Sequence, residues 1–289
     1  TSTRAIDYKP TRFRDLVPAA KMILVTLNHL RAGAGMAVVK RSIRRPPPFI
    51  VHLFKTNPGL CYCAWHGPKI VGFGLAIVHG KQWYLSDLFV HPKFQDGKIG
   101  RELMDRLWRD EPGMTHALAT FSYNMQAVGL YSRFGMAVRE PLVLMSAKTE
   151  QFKRPKPTRL KAVSNISTAD LNWIHEQETR IRGYSHPTEW RFRLSNGNYT
   201  LRLYKDGSRR VGYCLSTADG IFGPAGAITN RYLARIVQQH LATAEVNEGA
   251  TLRTFCPTNN GPLYRLLLAG GFRLRELNVF MSDKRYGDF

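Results

Sequence analysis

The sequence predicts an α+β (α/β) chain of two domains, and three observations predict it. A strand, a glycine-bearing turn and a helix follow one another over residues 83–107. A second strand and helix follow over 117–136. The spacing inside that helix then returns near the C-terminus, where Asn260 precedes Gly271 by the interval that separates Asn124 from Gly135. At 289 residues the chain is long enough for two domains of ordinary size, each burying its own core.

In chain order, residues 15–30 carry Leu16, Ala19, Ala20, Ile23, Leu24 and Leu27 at helical spacing. Lys40, Arg41, Arg44 and Arg45 then precede Pro46, Pro47 and Pro48, a stretch that reads as irregular. Strands are expected at 60–65 and 70–78, joined by a tight turn at His66, Gly67 and Pro68. Residues 83–90 form the next strand, Pro92 ends it, and Ile99, Leu103 and Leu107 recur as the face of a helix. After the strand at 117–123, Ala127, Leu130 and Phe134 make one apolar helix face and Gly135 supplies its stop. A closing strand at 142–147 ends a first domain at 148; 149–160, with Pro155 and Pro157, reads as a linker; 161–289 forms the second domain. That second domain is expected to hold a helix at 169–182, strands at 199–204, 210–216 and near Ile221, and a helix at 231–244.

The turn at 91–98 has the makings of an anion site. The first turn of the helix after it leaves N–H groups unpaired on Gly97, Lys98, Ile99, Gly100 and Arg101, where a pyrophosphate could accept them. Gly97 and Gly100 lack the Cβ atoms that would block the approach. Four cysteines are too few and too scattered for a disulfide framework, and Cys61 and Cys63 with His66 fall short of a metal set, so reduced core thiols and no metal are expected. No apolar run approaches a membrane span, and a cytoplasmic protein without a membrane partner is expected. Forty-two Lys and Arg against 21 Asp and Glu give a net charge of +21. That excess suits an acidic substrate, nucleic acid, or solubility alone. The charges are spread along the chain with no zinc finger, RNA-recognition signature or long basic helix, which argues against nucleic acid.

Val90, Pro92, Gln95 and Gly100 resemble motif A of the GNAT superfamily of N-acetyltransferases, V-x-P-x-x-[QR]-x-x-G-x-G, with Lys98 at the middle glycine position and Gly97 one residue earlier. Asn124, Ala127, Leu130, Tyr131, Gly135 and Met136 resemble its motif B, N-x-x-A-x-x-L-Y-x-x-x-G-[FM], in the right order. The resemblance implies two tandem GNAT-type domains, each a mixed, mostly antiparallel sheet flanked by helices, with acetyl-CoA as co-substrate of the first. It implies that Val90 pairs with the pantetheine arm and that a backbone N–H at Leu88 or Val90 faces the developing oxyanion. Gln95, Gly97, Lys98, Ile99, Gly100 and Arg101 become the pyrophosphate cradle, Asn124 a contact to the CoA arm, and Tyr131 the acid that protonates the departing thiolate. Asp87 is the candidate base; the other reading makes it a strand-end carboxylate paired with an arginine. His91 reads as a structural or CoA contact, and Trp83 and Tyr84 as pocket-lining or core residues.

The second domain looks like a degenerate copy. Aligned on the glycine, Leu267 stands where Tyr131 stands, and Gly223 and Gly226 lack the Q-x-x-G-x-G spacing. Three functions follow in order: N-acetyl transfer from acetyl-CoA to a primary amine, non-catalytic acyl-CoA binding, and nucleic-acid association motivated by charge alone. The acceptor amine is not legible; the basic loop at 40–45 reads first as a solvated loop and otherwise as recognition of an acidic acceptor.

Overall fold

The structure, a computed structural model, describes residues 5–95, 97–247, 249–285 and 287. Asp96, inside the anion turn, lies outside the described residues. The chain forms two compact units, residues 1–137 with 281–284, and 138–280 with 285–289.

In the first unit, β1 (Ile6–Pro10) leads into α1 (Leu16–Gly33), α2 (Pro48–Thr56), β2 (Cys61–His66), β3 (Lys69–His79), β4 (Gln82–Val90), α3 (Ile99–Leu107), β5 (Thr115–Phe121) and α4 (Met125–Arg133). The strands lie in the order β1-β2-β3-β4-β5. The first four pair antiparallel, while β5 runs parallel to β4 because α3 carries the chain across. Leu16, Ala19 and Met22 of α1 and Leu53 of α2 pack on Cys61, Cys63, Phe73 and Leu75 on one sheet face. Ile99 and Leu103 of α3 pack on Ala64 and Val71 on the other. The expected strands and the helix over 15–30 are present with ends shifted by a few residues. The exception is α2, which starts on Pro48 at its first turn, a position where the missing N–H costs nothing.

Two backbone features place α3. Gly72 in β3 has no side chain, and a Cβ there would lie 2.8 Å from Ile99 Cγ2 and 3.0 Å from Ala64 Cβ, so the helix sits directly on the strand. At its far end the buried Trp83 indole donates to Leu107 O at 2.9 Å and supplies a partner that the end of α3 would otherwise lack. The segment Met281–Lys284 belongs to this unit: the His116 ring, stacked 3.9 Å over Trp108, lies 2.8 Å from Asp283 Oδ2 and 2.6 Å from Arg109 O.

The second unit holds β6 (Ala137–Lys148), β7 (Lys161–Val163), α5 (Thr168–Arg182), α6 (Pro187–Ser195), β8 (Tyr199–Asp206), β9 (Arg209–Thr217), β10 (Phe222–Ala227), α7 (Asn230–Thr243), β11 (Thr251–Pro257), α8 (Gly261–Ala269) and β12 (Arg273–Ser282). Its strands run β10-β9-β8-β7 in one sheet and β12-β6-β11 in the other. The units therefore divide near 137 rather than at 148: the strand expected to close the first domain is β6, paired antiparallel with β11 along its length. The stretch read as a linker, 149–160, is packed rather than free. Lys153 donates to Gly270 O at 3.0 Å, Phe152 meets Phe272 edge-on, and Arg154 donates to the Ala242 and Ala244 carbonyls at the end of α7. Its prolines and cations gave no sign of that docking.

The repeated Asn-to-Gly spacing is a repeat of two helix caps. Asn124 Oδ1 accepts from Ala127 N at 3.2 Å, and Asn260 Oδ1 accepts from Leu263 N at 3.3 Å. At the other end Gly135 (φ +82°) and Gly271 (φ +86°) take the left-handed conformation, so Met136 N reaches Tyr131 O and Phe272 N reaches Leu267 O. Among the described residues no helix is long and apolar enough to cross a membrane.

Gly72→Ala should destabilise the protein by about 1–3 kcal/mol through overpacking between β3 and α3. Chemical denaturation checks it, and a loss below about 0.5 kcal/mol would mean that Ile99 and Leu103 yield freely.

Candidate active site

The pairing of β4 with β5 runs from Gln82 opposite Thr115 to Leu85 opposite Leu118 and stops there. Both strands continue, β4 to Val90 and β5 to Phe121, so their edges part and leave a wedge. The parting coincides with a bulge. Leu75 faces Asp87 while the next residue of β3, Ala76, faces Leu85, which makes Ser86 the extra residue. A bulge bends and twists its strand, here at the point where β4 leaves β5.

The wedge exposes backbone donors. His91 N donates to Val71 O at 2.8 Å, so Phe89 and His91 turn their N–H groups toward β3, and Leu88 and Val90 turn theirs to the opposite, open edge. Val90 O is met there by side chains instead of a strand: Gln95 Nε2 at 3.1 Å and Thr26 Oγ1 at 3.4 Å. Gln95 thus ties the turn to the end of β4.

Lys98 takes the left-handed conformation, φ +59° and ψ +4°, and is the residue from which α3 starts. The first intrahelical bond runs from Glu102 N to Lys98 O at 3.1 Å, so the N–H groups of Ile99, Gly100 and Arg101 precede the ladder. The backbone therefore follows the path that a glycine would take, held by a residue for which it costs about 1–2 kcal/mol. Lys98 is exposed and forms no ion pair among the described residues. A Cβ on Gly100 would lie 3.3 Å from Leu130 Cδ2, so the turn also sits close to α4. The Arg101 guanidinium stands 3.9 Å from Asp105. Asn124 has its amide oxygen committed to capping α4, which leaves its NH2 group for other contacts. His91 Nδ1 accepts from Lys93 N at 3.3 Å, a structural role. Trp83 is core, and Tyr84 packs against the core beneath α1 and α2.

Asp87 and Tyr131 come together. Asp87 lies opposite Leu75, on the sheet face covered by α1 and α2, and its partner is the Ser86 hydroxyl at 2.8 Å. No arginine or lysine pairs with it among the described residues. Burial pushes its carboxyl up from 3.8 to about 6, opposed by the Ser86 hydrogen bond. Tyr131, on α4, is 5% exposed, bonds to the Thr120 side chain and is raised above 10, first by burial and then by the Asp87 charge. A carboxylate from the free part of β4 and a phenol anchored to the free part of β5 thus share the wedge. Cys61 and Cys63 are buried thiols pushed up to about 12 and about 11, which removes them as nucleophiles. Among the described residues no three His, Cys, Asp or Glu side chains are placed to hold a metal ion.

Sequence reasoning missed Ser86, Thr120 and Thr26. Ser86 matters through a bulge, and Thr120 and Thr26 through contacts with residues distant in sequence, none of which leaves a local pattern.

A bulged strand parting from its parallel neighbour, with a helix N-terminus at the opening, defines the acetyltransferase fold class. Residues 35–136 match the acetyltransferase (GNAT) family. Among solved structures the chain is similar to a protein of Pyrococcus horikoshii (TM-score 0.70, 17% identity, covering 98% of this chain and 94% of that one). It is also similar to a GCN5-related N-acetyltransferase from Sphaerobacter thermophilus (TM-score 0.64, 15% identity, 98% of each chain). A third likeness is to a tandem GNAT protein from the clavulanic acid biosynthesis pathway (TM-score 0.61, 15% identity, 96% and 98%). At such identities the likeness is one of fold. No curated protein matches the chain in sequence.

Because folding raises the Asp87 carboxyl from its ordinary value to about 6, the folded state holds more protons than the unfolded one between those values. Stability is therefore lost as pH rises from about 4 to 6 and stays lower above. Asp87→Asn should stabilise the protein at pH 8 by about 1–2 kcal/mol and leave it unchanged near pH 4. Urea denaturation at both values checks it, and destabilisation at pH 8 would show that the carboxylate is held by a favourable charge.

Proposed function

We propose that the protein is an acetyl-CoA-dependent N-acetyltransferase that moves an acetyl group to a primary amine by direct attack in a ternary complex. The observation that carries this reading is the convergence of Asp87 and Tyr131 on the open edge of β4, where Leu88 and Val90 present backbone N–H groups. The turn at Gln95, Gly97, Lys98, Ile99, Gly100 and Arg101 suits the pyrophosphate, since helix N–H groups and two cations converge on one anion. The NH2 of Asn124 suits the arm of the coenzyme. The wedge admits the pantetheine as an extra strand beside Val90.

In the reaction the amine nitrogen attacks the thioester carbonyl, a C–N bond forms, and the oxyanion is met by a backbone N–H of Leu88 or Val90. Asp87, ionised above about 6, removes a proton from the amine directly or through a water. Collapse breaks the C–S bond, and Tyr131 gives its proton to the thiolate. The two steps are coupled through charge. The Asp87 carboxylate is one cause that holds the Tyr131 phenol up, so when Asp87 takes the amine's proton, Tyr131 becomes the stronger acid as the thiolate departs.

Lys40, Arg41, Arg44 and Arg45 are exposed and form no ion pair among the described residues, which suits an acceptor carrying acidic groups. Four buried free cysteines suit a reducing, cytoplasmic setting.

The direct test is calorimetric titration with acetyl-CoA, followed by an amine screen. Tyr131→Phe should lower kcat by ~10²-fold or more with acetyl-CoA affinity retained. Unchanged turnover would remove Tyr131 from the chemistry, and binding without turnover on any amine would leave an acyl-CoA-binding protein.

Lys98→Ala and Lys98→Gly separate charge from backbone. Both should weaken acetyl-CoA binding several-fold by removing a cation, while only the glycine variant should gain stability, by about 1 kcal/mol, because it alone relieves the left-handed strain that lysine and alanine share. Equal affinity in all three proteins would place the pyrophosphate elsewhere.

A further inference from the structure

The second unit holds a cavity of about 330 Å³ that acetyl transfer does not use. It opens beside β8, β9 and the start of β10, with residues 244–247, after α7, as one wall. Thr200, Arg202 and Tyr204 alternate along β8 and share one face, and the buried His240 of α7 meets that face through a 3.1 Å contact from Tyr204 Oη to its Nδ1.

Arg202 is the unexplained group. Its charge lies beside the Tyr204 phenol, whose hydroxyl contacts His240 Nδ1 at 3.1 Å. Burial, and then the Arg202 charge, push that imidazole down to about 4, so it stands as a neutral acceptor. The Cys214 thiol opposite Arg202 is pushed up to about 12 by burial and is also neutral. Tyr204, His240 and Cys214 beside it are therefore uncharged. Arg210, Arg235 and Arg253 of this unit form ion pairs, and none among the described residues engages Arg202. Glu245 stands on the exposed rim without pairing with it. A guanidinium carries several N–H donors in a planar fork, so a cavity beside one that has no ion-pair partner among the described residues favours an anion.

The geometry points to this cavity as a binding site for a small organic carboxylate, gripped by the Arg202 fork, reached by the Thr200 and Ser216 hydroxyls, and resting its apolar body on Phe222 and Leu252. A monoanion fits better than a phosphate dianion, because one cation lines the cavity and Glu245 at the rim would repel a second negative charge. Its volume is at the lower end of ligand cavities, ~300–1,000 Å³.

Benzoate, its neutral isostere benzamide, and phenyl phosphate test the assignment on the full chain by saturation-transfer NMR and calorimetry. Benzoate should bind at millimolar concentration or better, benzamide at least tenfold more weakly, and phenyl phosphate more weakly than benzoate. Arg202→Met should abolish benzoate binding, and Arg202→Lys, which keeps the charge without the fork, should weaken it severalfold. Should the methionine variant fail to fold, Arg202→Lys and Ser216→Ala carry the comparison. No benzoate binding, equal binding of benzamide, or benzoate binding unchanged in the Arg202 variants would overturn the site. Preference for phenyl phosphate would overturn the carboxylate.

Discussion

The first unit is organised around a hydrogen-bond ladder that stops early. Every residue of β4 past Leu85 gives up strand pairing on one edge, and an open edge inside a sheet is costly unless something satisfies it. The chain answers part of the demand itself, with Gln95 and Thr26 on the Val90 carbonyl. It leaves the donors of the same edge open. The surrounding rigidity is what keeps the wedge from closing: α3 lies directly on Gly72, and the Trp83 indole fastens the end of α3 to the start of β4. The bulge at Ser86 turns the strand at the point of parting and sets Asp87 on the face beneath α1 and α2.

Much of this architecture was legible because it is local. Helical spacing found α1 and α3, turn residues found the hairpin at Gly67, and the Asn-to-Gly interval found α4 and α8, since a cap oxygen and a left-handed glycine are short-range requirements. Helix α2 escaped because it opens on Pro48, which was read as an interruption rather than a first turn, and α6, which opens on Pro187, was not anticipated. The course of β6 was not legible at all: its own residues say that it is a strand, and nothing in them says that its partner is β11, a hundred residues on. At the site, the turn could be read from glycines and cations, whereas the hydroxyls of Ser86 and Thr120 could not. Their partners are set by a bulge and by a helix that returns from further along the chain.

The isolation of Asp87 carries weight in a chain with twice as many cations as anions. Several carboxylates elsewhere have an arginine beside them: Asp105, Glu102, Asp170 and Asp206 all have such partners. A cation beside Asp87 would lower its carboxyl and weaken it as a base. With only a hydroxyl beside it, the group sits near 6, ionised at neutral pH yet basic enough to share a proton. The positive surface and the uncompensated carboxylate are thus separate features, the first spread over the molecule and the second confined to the wedge.

The two capped helices show what the fold requires and what it does not. Asn124 and Asn260 hold the same cap, Gly135 and Gly271 the same stop, and Tyr131 and Leu267 are both buried at the same step of the helix. Packing is served equally well by leucine, so the hydroxyl at 131 is an expense without structural return: a buried phenol must find a partner, here Thr120. That polar atom, which the fold can do without, lies in the unit where the charge of a carboxylate, Asp87, reaches it. The second copy has dropped that hydroxyl and buries its own elsewhere, in the Tyr204–His240 contact that Arg202 joins, so polarity in this unit gathers at its cavity rather than at the helix that carries the phenol in the first.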